Sequence, residues 1–195
     1  MTSEVRDIYW LSLEDPGFEH LHLEISESEI KVLGFILRKL DEMHLRIRYE
    51  MSLGPNWQFR SLSLAASDSG GQALKRLKLA RDEDGRWQRD SAPLEALEGC
   101  IDVDIEVTPF TNSLPIRRLG LSPGDSREIA VAYVALPSLE LRKATQRYSC
   151  LEAPTPDGGR FRYENPVSGF AAELAVDQDG LVLDYPDLFH RTWPR

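Results

Sequence analysis

Little in this chain announces chemistry, and each absence removes a class of function. Only two cysteines are present, Cys100 and Cys150, far apart in sequence. A disulfide scaffold is therefore excluded, and both are read as buried thiols. The four histidines, His20, His22, His44 and His190, show no metal-ligand spacing beyond the His20/His22 pair, and no third ligand accompanies that pair. There is no Cys-x-x-Cys pair and no glycine-rich phosphate loop. No apolar run is long enough for a membrane-spanning helix, so no integral membrane segment is expected. Positive charge is in deficit: 23 Lys and Arg against 32 Asp and Glu, a formal net charge of −9. Nucleic acid is thereby excluded as a partner, because phosphate affinity comes from clustered Lys and Arg. The same charge opposes constitutive attachment to anionic membranes. Met1-Thr-Ser-Glu-Val-Arg-Asp7 has neither a basic start nor an apolar core, so it reads as no secretory signal, and a cytoplasmic location is expected. No cofactor is implied.

What is present is two-residue periodicity. It runs through His20–Ile25, Leu45–Met51, Phe59–Leu64, Leu77–Ala80, Ile101–Val107 and Leu139–Leu141. Ile129–Leu136 is almost unbroken apolar, as in a strand covered on both faces. Turn signals separate these runs: Asp15-Pro-Gly17, Gly54-Pro-Asn56, Ser69-Gly-Gly71, Asp84-Gly85, Pro123-Gly-Asp125, Asp157-Gly-Gly159 and Asp179-Gly180. At 195 residues this pattern is one domain, residues 1–195, of a mainly β sandwich, barrel or roll. Two segments read as helical. Ile30, Leu33, Leu37 and Leu40 fall at helical spacing behind Ser28, which predicts a helix over 28–40, with Gly34 and the β-rich surroundings against it. Pro93–Leu97 reads as a short helical turn ended by Gly99.

Three motifs invite chemistry and lose it on mechanism. Asp82-x-Asp84-Gly85 and Asp177-x-Asp179-Gly180 place acids as a calcium loop might, but glycine comes too early and the distal glutamate is missing. Both read as hairpin turns. Gly120-Leu-Ser-Pro-Gly124 has the form of a hydrolase nucleophile elbow, yet Pro123 follows the serine and has no N–H for an oxyanion hole. It reads as a turn. His20 and His22 read as residues on the polar face of an edge strand, and the tryptophans Trp57, Trp87 and Trp193 as core residues.

The densest stretch is Cys100–Leu119. Alternation puts Ile101, Val103, Ile105 and Val107 on one strand face and Asp102, Asp104 and Glu106 on the other. Three like charges in a row are either solvated or neutralised. Thr108-Pro-Phe-Thr-Asn112 then reads as a turn in which Thr111 and Asn112 bond locally, and Pro115 opens a segment ending in Arg117 and Arg118. A chain reversing there brings Arg117 and Arg118 back beside Asp102 and Asp104 as a polar seam.

Cys100-Ile-Asp-Val-Asp104 and Thr108-Pro-Phe-Thr-Asn-Ser-Leu-Pro-Ile-Arg-Arg-Leu119 resemble the signature of a bacterial family first catalogued as a domain of unknown function and later labelled "putative glycolipid-binding". Further pieces of the resemblance are Tyr49 through Trp57 to Arg60, Asp84–Trp87, Leu97–Gly99, Tyr133–Ala135, Gln146–Tyr148 and Val176–Pro186. The resemblance implies a spiral β-roll, a strongly curved antiparallel sheet or half-barrel around a central element, with one or two short helical turns. It makes 30–37 strand rather than helix. The implied shape is similar to that of periplasmic lipoprotein carriers, although this N-terminus lacks the export signal such a carrier needs.

Three functions follow. The first is non-enzymatic binding of an amphiphile, a glycolipid or other lipid. Apolar faces such as Ile129–Leu136 would take the chains, and Asp102, Asp104, Thr111, Asn112, Arg117, Arg118 and Tyr133 would address the head group in a mostly apolar cavity. The second is an enzyme on a sugar or nucleotide derivative using Asp102 and Asp104 as paired carboxylates. The third is a ligand-free interaction scaffold.

Overall fold

The computed structural model describes residues 4–194, so the reading of the N-terminus as no export signal falls largely outside it. In chain order the elements are β1 (Glu4–Ser12), β2 (Gly17–Ile25), β3 (Ile30–Leu40), β4 (Met43–Leu53), β5 (Phe59–Asp68), β6 (Ala73–Arg81), β7 (Trp87–Arg89) and β8 (Ala92–Pro93). A 3-10 turn at Glu95–Leu97 leads to β9 (Asp102–Ile105), then to helix α1 (Phe110–Leu119). The chain closes with β10 (Ser126–Val134), β11 (Leu141–Thr155), β12 (Gly158–Glu164), β13 (Ala171–Val176), β14 (Val182–Tyr185) and β15 (Phe189–Trp193).

All these strands form one curled 15-stranded sheet in the order β8-β7-β6-β5-β4-β3-β2-β1-β15-β14-β13-β12-β11-β10-β9. Each chain half is a meander of antiparallel hairpins, and β15 joins the halves by pairing with β1. One pairing differs: β9 and β10 are parallel, Asp102 opposite Val131 and Ile105 opposite Val134. Parallel neighbours need a long crossover, and α1 supplies it. The helix is thereby drawn onto the inner face of the curl, which makes it the central element of the roll.

The alternation seen in the sequence sorts directly into inner and outer faces. Trp10, Leu21, Leu23, Val32, Ile36, Ile47, Tyr49 and Leu64 point inward and join Phe110 and Leu114 of α1 in one core. Trp57 and Trp87 are buried there as expected, whereas Trp193 is exposed. Residues 28–40 form strand, not helix. Gly34 shows why this strand needs its glycine: a Cβ there would lie 2.0 Å from the Tyr49 ring, which crosses over it. β2 lies between β1 and β3 in mid-sheet, so His20 and His22 are not on an edge strand. They share Asp7 as hydrogen-bond partner, at 2.8 and 3.0 Å.

Both Asp-x-Asp-Gly segments are hairpin turns, Asp82 Oδ1 accepting from Arg86 N and Asp177 Oδ1 from Leu181 N. Gly120–Gly124 is irregular chain and turn, and Cys100 and Cys150 are buried free thiols. The helical turn expected from Pro93 starts later, at Glu95, because Pro93 belongs to β8.

Thr108–Asn112 is the main departure from expectation. It is not a turn that reverses the chain but the entry to α1, in which Pro115 is an interior residue. Every residue from Phe110 to Ile116 is buried. A helix enclosed on all sides has no polar face, so no 3.6-residue periodicity marks it. Interior proline likewise reads as a breaker. The end is conventional: Gly120 takes a left-handed φ of 56°, and Arg117 and Arg118 sit in the last turn, where cations oppose the helix dipole.

Candidate functional site

The seam expected between the acids and the arginines exists in half. Asp102 is fully buried (0% exposed) and Glu106 exposed, so the three acids do not share one solvated face. Arg118 grips it with both Nε and Nη2, at 2.9 and 2.6 Å. Burial of a carboxylate requires such a fork, and this pair ties the last turn of α1 to the start of β9. Arg117 does not join it. Its guanidinium donates to the Asp179 carbonyl at 2.7 Å and lies 4.9 Å above the Trp57 ring, so it cross-braces the two chain halves.

Asp104 meets no arginine either. Thr111 Oγ1 donates to its Oδ1 at 2.9 Å and Gln146 Nε2 to its Oδ2 at 2.6 Å. Burial raises the Asp104 carboxyl above the usual carboxylate range, against the pull of these two donors. The chain of bonds continues: Asn112 Nδ2 donates to Tyr148 Oη at 2.9 Å, and Tyr148 Oη donates to Gln146 Oε1 at 3.3 Å. Thr111 and Asn112 come from α1, Gln146 and Tyr148 from β11. The crossover that sets α1 inside the curl therefore also aims Asp104.

Asp104, Asn112 and Tyr133 line one cavity of about 420 Å³ at the mouth of the roll. Thr111 stands behind it as the residue that fixes Asp104, while Asp102, Arg117 and Arg118 lie elsewhere and serve the fold. The remaining walls come from residues that sequence reasoning did not single out as a site. Tyr163, Phe170, Tyr185 and Phe189 supply one side, with Tyr163–Tyr185 and Tyr185–Phe189 ring centroids 6.2 and 6.3 Å apart. Glu106, Arg142 and Arg38 supply charge of both signs. Arg142 lies 4.3 Å over the Tyr133 ring, and burial raises the Tyr133 phenol, with Glu106 adding to the effect.

Arg38 is the oddest member. Its side chain is only 5% exposed, and its one ion pair, with Glu14, is long at 3.8 Å. Its Nε and Nη1 have no hydrogen-bond partner among the described residues. Arg38 lies against Gly17, where a Cβ would come within 2.7 Å of its Cδ, and over the Phe189 ring at 5.3 Å. Buried donors without partners are rare and costly in a folded protein. For Arg38, Tyr163 and Phe189 the sequence signal is inward alternation on β3, β12 and β15, which equally describes a plain core.

Behind the cavity wall sits Glu19. Thr108, which lines the cavity, donates its Oγ1 hydrogen to Glu19 Oε1 at 2.9 Å, and Tyr49 Oη donates to the same oxygen at 2.6 Å. Glu19 Oε2 has no partner, and burial pushes the carboxyl up to about 7.

Two hollows on the outer face, of about 650 and 500 Å³, are open grooves across sheet side chains rather than enclosed sites. Of the Ile129–Leu136 run expected to take acyl chains, Val131, Ala132 and Val134 are buried, and Tyr133 and Leu136 line the cavity. The observed cavity is aromatic and polar instead.

Comparison with known proteins agrees with this architecture. A crystal structure of a DUF1089 family protein from Pseudomonas aeruginosa superposes with a TM-score of 0.76 at 34% sequence identity, covering 90% of this chain and 91% of that one. A β-barrel-like protein of the DUF1849 family from Brucella abortus shares the fold at 10% identity and a TM-score of 0.51, over 96% of this chain and 93% of its own. No curated protein matches the chain. The family profile described as "Putative glycolipid-binding" matches residues 7–191, and the chain belongs to that family.

Proposed function

We propose that the protein is a non-enzymatic binder of an amphiphile with a saccharide head, and that the mouth cavity holds the head. One observation carries this reading: hydrogen-bonding groups of both kinds converge on a cavity walled by aromatic rings. A sugar hydroxyl both donates and accepts, and its ring carbons stack on aromatic faces. Asp104 and Glu106 can accept, Asn112 and Arg142 can donate, and Arg38 adds a second guanidinium to the wall. The volume of about 420 Å³ suits a head group rather than a long chain, so the apolar tail would leave through the mouth. The family description and the β-barrel-like relative support a binding role.

Paired-carboxylate chemistry lacks its partner here: Asp102 is fully buried and locked to Arg118 away from the cavity that Asp104 lines. The pair is not arranged as acid and base.

The test is calorimetry with octyl β-glucoside below its micellar concentration, glucose, and octanoate, alongside native mass spectrometry of protein purified without added lipid. The glycoside should bind, glucose more weakly, and octanoate least. Tyr163→Ala should weaken glycoside binding about tenfold, in line with the loss of one stacking partner in a buried site. A ligand-free protein that binds neither glycoside nor glucose would end this reading.

A further inference from the structure

The outer face of the roll carries a surface with no role in the cavity. Register places two adjacent cross-strand rows on it. One runs Trp193, Tyr9, His20, Phe35, Arg48, Ala65, Arg76, and the other His190, Leu11, Phe18, Leu37, Arg46, Ser67. These rows hold six large apolar or aromatic side chains and three arginines, and no carboxylate. Leu37 is 57% exposed, Phe35 49% and Trp193 64%. A contiguous exposed apolar strip in mid-sheet, where cross-strand neighbours normally alternate with charge, marks an interaction surface.

The charge says which kind. The protein as a whole carries −9, yet the three arginines of this strip stand together at one end, on β4 and β6. Arg48 is partnered by Glu50, whereas Arg46 and Arg76 form no ion pair among the described residues. Trp193 and Tyr9 stand at the opposite end, and aromatic rings with a polar edge favour a membrane–water interface. We propose that this face docks on an anionic lipid bilayer. A second copy of the chain is the competing occupant, which the oligomeric state distinguishes. The strip also lies in mid-sheet and offers no free strand edge to a peptide. The net negative charge does not forbid docking, because charges farther off than a Debye length of about 8 Å are screened at physiological salt.

Position supports the same partner. The outer hollow over Phe18, Leu37 and Arg46 and the mouth cavity are separated only by the 13–17 and 38–44 segments, and Arg38 borders both. A roll lying on this face sets the mouth at the lipid surface. This goes beyond the head-group reading and can fail without it.

Vesicle flotation tests it, using the full chain with vesicles of phosphatidylcholine alone and of phosphatidylcholine with phosphatidylglycerol. The chain should float with the anionic vesicles, not the neutral ones, and less so as salt rises. Each surface cation contributes roughly fivefold to such partitioning, so Arg46→Gln with Arg76→Gln should lower it about 25-fold. Phe35→Ser with Leu37→Ser should remove the part that survives high salt. All four side chains point to solvent, so the variants should keep the parent's unfolding midpoint and its octyl glucoside binding. Failure of the parent to float on anionic vesicles at low salt would overturn the proposal. So would flotation unaffected by either double variant, and so would a parent dimer that Leu37→Ser converts to monomer.

Discussion

Glu19 gives the sharpest test of the interior. Its carboxyl is 2% exposed, both of its neutral donors reach the same oxygen, and the other oxygen has no partner. Among the described residues no cation pairs with it. Burial therefore wins over the two hydrogen bonds, and the group titrates near 7 instead of at its ordinary 4.5. A raised carboxyl means that the native state holds a proton which the unfolded chain has already released. Between about pH 4.5 and 7 the native state binds more protons, so stability falls as pH rises through that window. Each tenfold in the proton equilibrium is worth about 1.4 kcal/mol, so this one group should cost about 3 kcal/mol by pH 8 relative to pH 4.5. Glu19→Gln keeps an oxygen for Tyr49 and Thr108 and never ionises. Urea denaturation of both proteins at pH 4.5 and pH 8 isolates the effect, since every other titrating group cancels in the difference. The variant should gain about 3 kcal/mol over the parent on going to the higher pH. A parent–variant difference that stays constant within about 0.5 kcal/mol would show that Glu19 ionises freely in the native state, and the burial argument would fail.

Other substitutions separate fold from site. Arg38→Met should leave stability unchanged or raise it, because it removes a buried guanidinium with two unpartnered nitrogens, yet weaken octyl glucoside binding about tenfold by calorimetry; lost stability with intact binding would make Arg38 merely structural. Arg118→Ala should do the reverse, costing about 3–5 kcal/mol in chemical denaturation by leaving Asp102 buried and unpaired. Binding per folded molecule should be unchanged, since neither residue lines the cavity. Gly34→Ala should cost about 3 kcal/mol through overpacking against Tyr49, read as a lowered urea midpoint, and a change under about 0.5 kcal/mol would mean that the ring can move aside freely.

Much of the fold was legible because a half-buried antiparallel strand writes its register into the chain. Alternation at His20–Ile25, Leu45–Met51 and Phe59–Leu64 marks inner and outer faces before any coordinates exist, and the Asp-Gly turns mark the hairpins. Residues 28–40 show the limit of this signal. A strand with apolar residues on both faces, as Leu33, Phe35 and Leu37 make it, loses the two-residue pattern and can mimic helical spacing. Helix α1 was illegible for the complementary reason, having no solvent face to show.

The candidate site divides the same way. Asp104, Asn112, Tyr133 and Tyr185 belong to the stretches that carry the family resemblance, but Tyr163, Phe189 and Arg38 come from distant strands whose alternation is that of any core. By itself the sequence determined the strands, their faces, the turns and the net acidity, because these depend on neighbours one or two residues away. Only the tertiary structure decided what the run from Cys100 to Leu119 does. A parallel β9–β10 pairing forces the crossover helix inside the curl, which sends Arg118 to Asp102, turns Arg117 away and sets Asn112 and Asp104 on a cavity wall. Those contacts join residues brought together by the crossover and the curl of the sheet, and no local pattern encodes them.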